Sequence, residues 1–467
     1  MSGRATRFAL ALLCAGCALQ HYDPQALDPA RTEAQFVTRD PADPKLRDAL
    51  ARHGIEVGQW PLQQWDLAAL AALAYELRAD LDVARAERAS AEAARESARA
   101  APNPGLDLAS EHHSVGGSKG SPWTFGLALD LPLTGASRRA ARGDLADARA
   151  REARWLMAQR AWQVRSEVRD AYAAWHFARQ STDAIDAELT LRRRETSLLE
   201  KRLALGAVAG SEPARARQRE AETARQQRTA SQAGQRARGE LARAVGLAPE
   251  VFDGLRLAAP GDDLRQTARN ALLQRAALHD RLDVRAALER YAASEAALQL
   301  EIARQIPELS IRPGYAWDQG DNRWSLGLSM LLPLFDRNAG PISEARARRD
   351  AEAARFLALQ AKAIAELDAA LQLAQAARAE VDAARAMQME EAQISARVER
   401  RFAAGAADRI EQVGALIAAA SARRRVIDAR AADRKALATL EDAVQRPLDE
   451  VPAAAEERPG LARSDTR

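Results

Sequence analysis

Two adjacent histidines, His112 and His113, two cysteines, Cys14 and Cys17, and carboxylate pairs such as Glu390 and Glu391 are the side chains whose spacing could support chemistry in this chain. A metal site needs several ligands converging at ligand spacing. No cysteine or second carboxylate cluster accompanies His112 and His113, which read as exposed residues near a loop tip, and His21, His53, His176 and His279 are scattered. Glu390 and Glu391 sit in a charged helical run, the pattern of a solvated face. No nucleophile elbow, phosphate-cradling glycine loop or zinc helix occurs. These absences argue against an enzyme and call for no cofactor and no bound metal.

The cysteines carry a different chemistry. Arg4 and Arg7 form a positive start, Phe8 to Leu13 an apolar run, and Ala15-Gly16-Cys17 a small-small-Cys ending, together the pattern of an export signal. The ending resembles a bacterial lipobox, in which the cysteine is acylated and becomes the new N-terminus. Cys14 stands where leucine is usual, so an ordinary cleaved signal is the alternative. Ala18 rather than Asp follows Cys17, which by resemblance to known lipoproteins favours the outer membrane. With Cys17 acylated and Cys14 removed, no disulfide stabilises the mature chain.

What must position any function is mostly helix. The 467 residues contain only 4% aromatics, and the 68 basic and 65 acidic residues are interspersed, leaving a net charge of +3. That is the pattern of salt-bridged helix surfaces and gives no nucleic-acid face. No apolar run reaches the ~20 residues of a spanning helix. Against this background one stretch of period two occurs twice: Trp123-Thr124-Phe125-Gly126-Leu127-Ala128-Leu129-Asp130-Leu131-Pro132-Leu133, and about 200 residues later Trp324 to Leu334. Large residues take every second place, which predicts strands.

The surroundings recur too. Leu81-Asp82-Val83 is matched by Leu282-Asp283-Val284, Pro104-Gly105-Leu106 by Pro307-Glu308-Leu309, and Glu200-Lys201-Arg202-Leu203 with Gly206 by Glu399-Arg400-Arg401-Phe402 with Gly405. The sequence therefore reads as a duplicated unit of helix, hairpin, very long helix, turn and helix. Residues 1–17 are the signal; 18–64 an extended leader; 65–246 the first repeat, with strands at about 104–113 and 122–133; 247–262 a linker; 263–446 the second repeat, with strands at about 307–318 and 323–334; and 447–467 a disordered tail. An unbroken helix is expected from Trp65 to Ala100, another from Ala136 to Leu205, and Ser211 is placed as the cap of the next. Helices of about 100 Å require coiled-coil partners.

The strands have the length of membrane spans, about 9 to 11 residues. Leu309, Ile311, Pro313, Tyr315 and Trp317 would face lipid, Ser310, Arg312, Gly314 and Asp318 a lumen, and Trp123, Trp317 and Trp324 an aromatic girdle. The alternative is a soluble periplasmic coiled-coil scaffold or adaptor whose hairpins pack on its own helices. Four strands cannot close a barrel, whose smallest form has about eight, so a membrane reading needs several chains.

The lipobox-like start, the repeated helix-hairpin-helix unit, the Leu-Asp-Val marker, the strand ending in Leu-Pro-Leu and the Arg-aromatic-x-x-Gly turn together resemble the TolC family of outer-membrane efflux channels. That resemblance covers about Trp65 to Pro447. It implies a mainly α chain with membrane β: a homotrimer with a barrel of twelve strands and a periplasmic tunnel of twelve helices, held in outer-membrane lipid and docked to a periplasmic adaptor and an inner-membrane pump. It further implies an acidic residue six positions after each turn glycine at the periplasmic aperture, here Glu212 after Gly206 and Glu411 after Gly405. Acids in a first helical turn also suit the helix dipole, which is the plainer reading. The family's tyrosine is Phe402 here, its arginine Ala407 and its second acid Gly414. The expectation is therefore of an aperture with weaker polar closure, or one held by packing.

Overall fold

The computed structural model describes residues 22–55, 57–114, 121–133, 135–259 and 270–448; Cys17 and most of the tail lie outside them. The first half contains α1 (Leu67–Leu77), α2 (Ala79–Arg99), β1 (Gly105–His112), β2 (Trp123–Leu133), α3 (Ala136–Ala204) and α4 (Ser211–Val245). The second contains α5 (Leu282–Ala303), β3 (Leu309–Asp318), β4 (Asp321–Met330), α6 (Ala339–Ala403) and α7 (Arg409–Val444). Long runs of helix formers without an internal break make α3 69 and α6 65 residues long. At 1.5 Å per residue each is about 100 Å, and each is laid against neighbours: α3 on α2, α4, α5 and α7, and α6 on α5 and α7. Alanine lines much of this packing, with Ala141, Ala146, Ala148 and Ala150 buried on α3 and Ala293, Ala296 and Ala303 on α5. Side chains this small let helix axes approach closely.

The expected helix from Trp65 to Ala100 is broken at Arg78, whose backbone is extended (φ −79°, ψ 117°). Three partners distant in sequence or on the next turn account for the break. The Arg78 guanidinium donates to Asp80 (2.5 Å), to Glu167 of α3 (2.8 Å) and to the Ala244 carbonyl at the end of α4 (3.1 Å). The second half repeats this arrangement, with Arg281 extended before α5 and donating to Asp283 (2.7 Å), Glu366 of α6 (2.8 Å) and the Ala443 carbonyl (3.1 Å). In both places one arginine caps a helix C-terminus and fixes the start of another. The hydrogen bond from Arg78, reinforced by its charge and by Arg160 and opposed by burial, holds the Asp80 carboxyl at about 2. Because that lies below the ordinary ~3.9, the stabilisation is complete above about pH 4 and is lost as pH falls toward 2. Asp80→Asn should accordingly lose less thermal stability than the wild type between about pH 5 and pH 2.5; equal losses would show that Asp80 does not contribute.

Two apolar cores flank these arginines. Leu70, Leu73, Val164, Val168, Tyr172, Leu241, Val245 and Phe252 form the first, and Leu273, Leu367, Leu371, Leu437, Leu440, Val444 and Leu448 the second. Leu448 thus belongs to the core, one residue beyond the start assigned to the tail by composition. The leader is not simply extended. Asp28 and Asp43 cap short helices Pro29–Val37 and Pro44–Arg52, each begun by proline, a residue whose fixed φ suits the first helical position. Leu50 is buried in the first core, with Leu46, Ile55, Val57, Trp60 and Leu62 packed against it.

The four strands form one antiparallel sheet in the order β1-β2-β3-β4, so the central pairing, β2 with β3, joins the two halves of the chain. β4 ends at Met330, short of the Leu331-Leu332-Pro333-Leu334 stretch expected to continue it.

Candidate functional site

The pairing registers decide what the sheet presents. Leu106 opposes Leu129, Leu108 opposes Leu127, Leu127 opposes Tyr315, Phe125 opposes Trp317, Ile311 opposes Leu328 and Tyr315 opposes Trp324. Opposed residues point to the same side, so these chains share one face with Trp123, Leu131, Leu309, Pro313, Leu326 and Met330. Leu108, Leu326 and Leu328 are 73%, 76% and 71% exposed, so the chain's own helices do not cover this face. A soluble scaffold with hairpins packed on its helices is incompatible with that exposure. Trp123, Trp317 and Trp324 lie toward one end of the sheet, where Trp123 stacks near Phe125 (6.0 Å between centroids) and Phe125 near Trp317 (6.3 Å), and Tyr315 meets Trp324 at a tilt of 53° (4.9 Å).

The opposite face carries Asp107, Glu111, Thr124, Asp130, Ser310, Arg312, Asp318, Asp321, Arg323, Ser325 and Ser329, separated by Gly126, Ala128, Gly314 and Gly327. Its charges are partly tied across strands: Arg312 to Asp130 (3.1 Å), Arg323 to Asp318 (2.8 Å), and the Thr124 hydroxyl donating to Asp318 (2.7 Å). A sheet apolar on one side and polar on the other suits a boundary between lipid and water.

The helical turns form the second candidate site. Gly206 and Gly405 have φ of +70° and +71°, the left-handed conformation that glycine adopts without a Cβ penalty at a helix end. Behind them the Ala207 and Ala406 amides donate to the Arg202 and Arg401 carbonyls (2.8 and 2.7 Å). The turns then differ. Gly210, not Ser211, is the N-cap of α4, without a side-chain bond, and Glu212 follows, exposed, in the first turn. Asp408 caps α7, accepting from the Glu411 amide (2.8 Å). That bond, with the hydrogen bond and charge of Arg202, holds the Asp408 carboxyl below the usual range.

The second turn carries polar contacts of its own although the family's tyrosine and arginine are absent from it. Arg401 donates to the Glu411 carboxylate (2.6 Å) and to the Ala406 carbonyl (3.0 Å). Arg409 lies 4.5 Å over the Phe402 ring and donates to Gln412 (2.9 Å), whose amide donates to Glu399 (2.5 Å). Arg202 of the first turn pairs with Asp408 of the second at 3.2 Å. The structure thus brings Phe402, Gly405 and Glu411 into one network, while Glu212 has no ion pair among the described residues. Sequence reasoning missed Arg202, Arg401, Asp408 and Arg409. The usable signal was Asp408 three residues before Glu411, a capping-box spacing.

The sequence model of the outer membrane efflux protein family matches residues 70–247 and 273–444. No curated protein matches the chain. Among solved structures, the outer membrane protein VceC of Vibrio cholerae superposes with a TM-score of 0.67 at 19% identity, over 82% of this chain and 96% of that one. A membrane protein from Pseudomonas aeruginosa gives 0.65 at 22% identity, over 82% and 91%. The open state of the MtrE outer membrane channel of Neisseria gonorrhoeae gives 0.63 at 17% identity, over 82% and 89%. The fold is theirs: long helices carrying a small four-stranded sheet.

Proposed function

The chain belongs to the outer membrane efflux protein family, and from that membership we propose that it is a passive outer-membrane exit duct of a tripartite efflux system, carrying small molecules or metal ions outward. The observation that carries this reading is the four-stranded sheet with one uncovered apolar face, one charged and small-residue face, and two free edges. In hydrocarbon an open edge leaves backbone groups without partners, so the working unit is a closed barrel built by several copies, a homotrimer as in the family. The apolar face meets lipid, Trp123, Trp317 and Trp324 lie in the headgroup region, and acylated Cys17 anchors the leader. The long helices reach into the periplasm, where an adaptor and an inner-membrane pump dock and supply the energy. The matching arginine clusters at Arg78 and Arg281 and the family match in two segments support an internal duplication.

At the periplasmic end Gly206 and Gly405 turn the helices around the aperture, and Glu212, Glu411 and Phe402 line it. Purified protein in planar bilayers should pass ions only as a detergent-dependent oligomer; a detergent-free soluble monomer would overturn the duct. The two acids should differ in effect. Arg401 compensates Glu411, whereas a carboxylate without a partner about 4 Å from an ion is worth about 1 kcal/mol in water. Glu212→Ala is therefore expected to lower cation preference about fivefold and Glu411→Ala much less, measured as reversal potential in a salt gradient. Arg202→Ala, which releases the bridge between the two turns, should raise conductance.

A further inference from the structure

His112 and His113 sit where β1 ends, at the end of the sheet away from the long helices, since β1 and β2 join their helices through Gly105 and Leu133. Alternation along the strand separates them. His112 opposes Trp123 and meets its ring edge-on at 4.7 Å on the apolar face. His113 falls in step with Asp107 and Glu111 on the polar face, where its Nε2 lies 3.1 Å from the Thr124 hydroxyl.

That contact begins a chain across the sheet. The Thr124 hydroxyl donates its one hydrogen to Asp318 (2.7 Å), and the second carboxylate oxygen of Asp318 pairs with Arg323 (2.8 Å). Toward His113 the Thr124 oxygen is therefore an acceptor, and Nε2 carries a hydrogen whether the ring is neutral or charged. A proton taken up by neutral His113 goes to Nδ1, so the charge of this rim changes while its hydrogen bonds stay intact. Glu111 and Asp321 complete the rim, both exposed and without an ion pair among the described residues. Arg323 against Glu111, Asp318 and Asp321 leaves two net negative charges per chain with His113 neutral, and one with it protonated.

We propose that His113 sets the ion preference of the outer mouth of the duct, halving the negative charge of that mouth when the external medium turns acidic. This rests on the reading of the sheet as part of a duct whose strand turns point outward and whose helices point into the periplasm. Histidine changes charge between about pH 5 and pH 8, whereas ordinary carboxylates, near 4, and arginine keep theirs. Among the described residues the charged groups on the face of His113 at this end are Glu111 of its own strand, Asp318 of β3, and Asp321 and Arg323 of β4, while β2 presents the neutral Thr124. Of these, His113 alone switches in that range. A ring of net negative rims favours cations by its field, and protonation weakens that preference at the exit. Glu212 and Glu411 lie at the far end of helices about 100 Å long, beyond the reach of that field in salt.

The test is the reversal potential of the full-length oligomer in planar bilayers, with one chamber at a time acidified from about pH 8 to about pH 5.5. Acidifying the chamber that the strand turns face is expected to lower the preference for cations over anions about threefold, and acidifying the other to change it much less. His113→Gln, which keeps an N–H for Thr124 and cannot become charged, should lose the response. His113→Lys, charged throughout, should show at alkaline pH the low preference that the wild type shows in acid. His112→Gln, altered on the lipid side, should respond as the wild type does. Mass in detergent solution checks that each variant keeps the native oligomer. A wild type insensitive to acid in both chambers, a His113→Gln variant that keeps the response, or a His113→Lys variant with wild-type preference at alkaline pH would each overturn the role of His113 and leave the duct standing. A wild-type protein that passes no ions under any of these conditions would instead overturn the reading of the duct itself.

Discussion

Leu127→Arg is expected to abolish assembly into the outer membrane. Leu127 lies at the middle of β2, opposite Leu108 on one side and Tyr315 on the other, on the face no helix covers. An arginine on the lipid face near the bilayer midplane costs about 2–4 kcal/mol. In the proposed trimer the cost is repeated three times, for a total of about 6–12 kcal/mol, comparable with the whole stability of many proteins. Ser329→Arg is the control. It is exposed at the edge of the opposite face, where water solvates the charge, and should keep most of the trimer. The measurement is the fraction of heat-modifiable trimer extracted from outer membranes. Equal trimer yields for Leu127→Arg and wild type would mean that this face does not contact lipid.

The same sheet shows how far the sequence could be read. Alternation at Trp123–Leu133 and Trp324–Leu334 placed the strands and their two faces, because one face needs apolar residues and a strand's period is two. The turn glycines Gly206 and Gly405 were legible for a similarly local reason, the left-handed backbone at a helix end. Features made by distant partners were not legible. Arg78 is a good helix former in a helical run, and only Glu167 and the Ala244 carbonyl, far away in sequence, make it a break. β4 stops at Met330 although its pattern continues, since a strand's end depends on its neighbour as well as on itself. Glu212 and Glu411 were singled out by the family resemblance, six positions after each turn glycine. Their different charge environments depend on Arg401, which folds back across the turn onto Glu411. The leader helices were not legible as a period because each is only nine residues long, and their signals are the start pairs Asp28-Pro29 and Asp43-Pro44.

The second large effect is expected at Arg169, which ties the first long helix, α3, to α7. Arg169 is 4% exposed on α3; its guanidinium donates to Glu441 (2.8 Å) and Asp442 (2.8 Å) of α7 and to Asp170 (2.9 Å). Burial opposes its charge, but the hydrogen bonds and charges of Asp442 and Asp170 together outweigh burial and raise its pKa, so it stays ionised. Glu441 is only 2% exposed, with Arg165 a weaker second partner at 3.4 Å and the Leu448 amide donating at 3.3 Å. Asp442 is better supplied, accepting from the Ser166 hydroxyl (2.6 Å) and the Trp162 indole (3.1 Å) while remaining half-exposed. Arg169→Ala therefore strands the Glu441 carboxylate in the interior, and removing one partner of a buried pair costs about 3–5 kcal/mol. Replacing both partners, as Arg169→Met with Glu441→Leu, leaves no buried charge without a partner and should recover most of that loss. Denaturant midpoints of the wild type, the single variant and the double variant separate the cases. A double variant no better than Arg169→Ala would mean that packing, not the ion pair, holds α7 against α3. A single variant within about 1 kcal/mol of wild type would mean that the alanine-lined seams and apolar cores hold the two halves together without it.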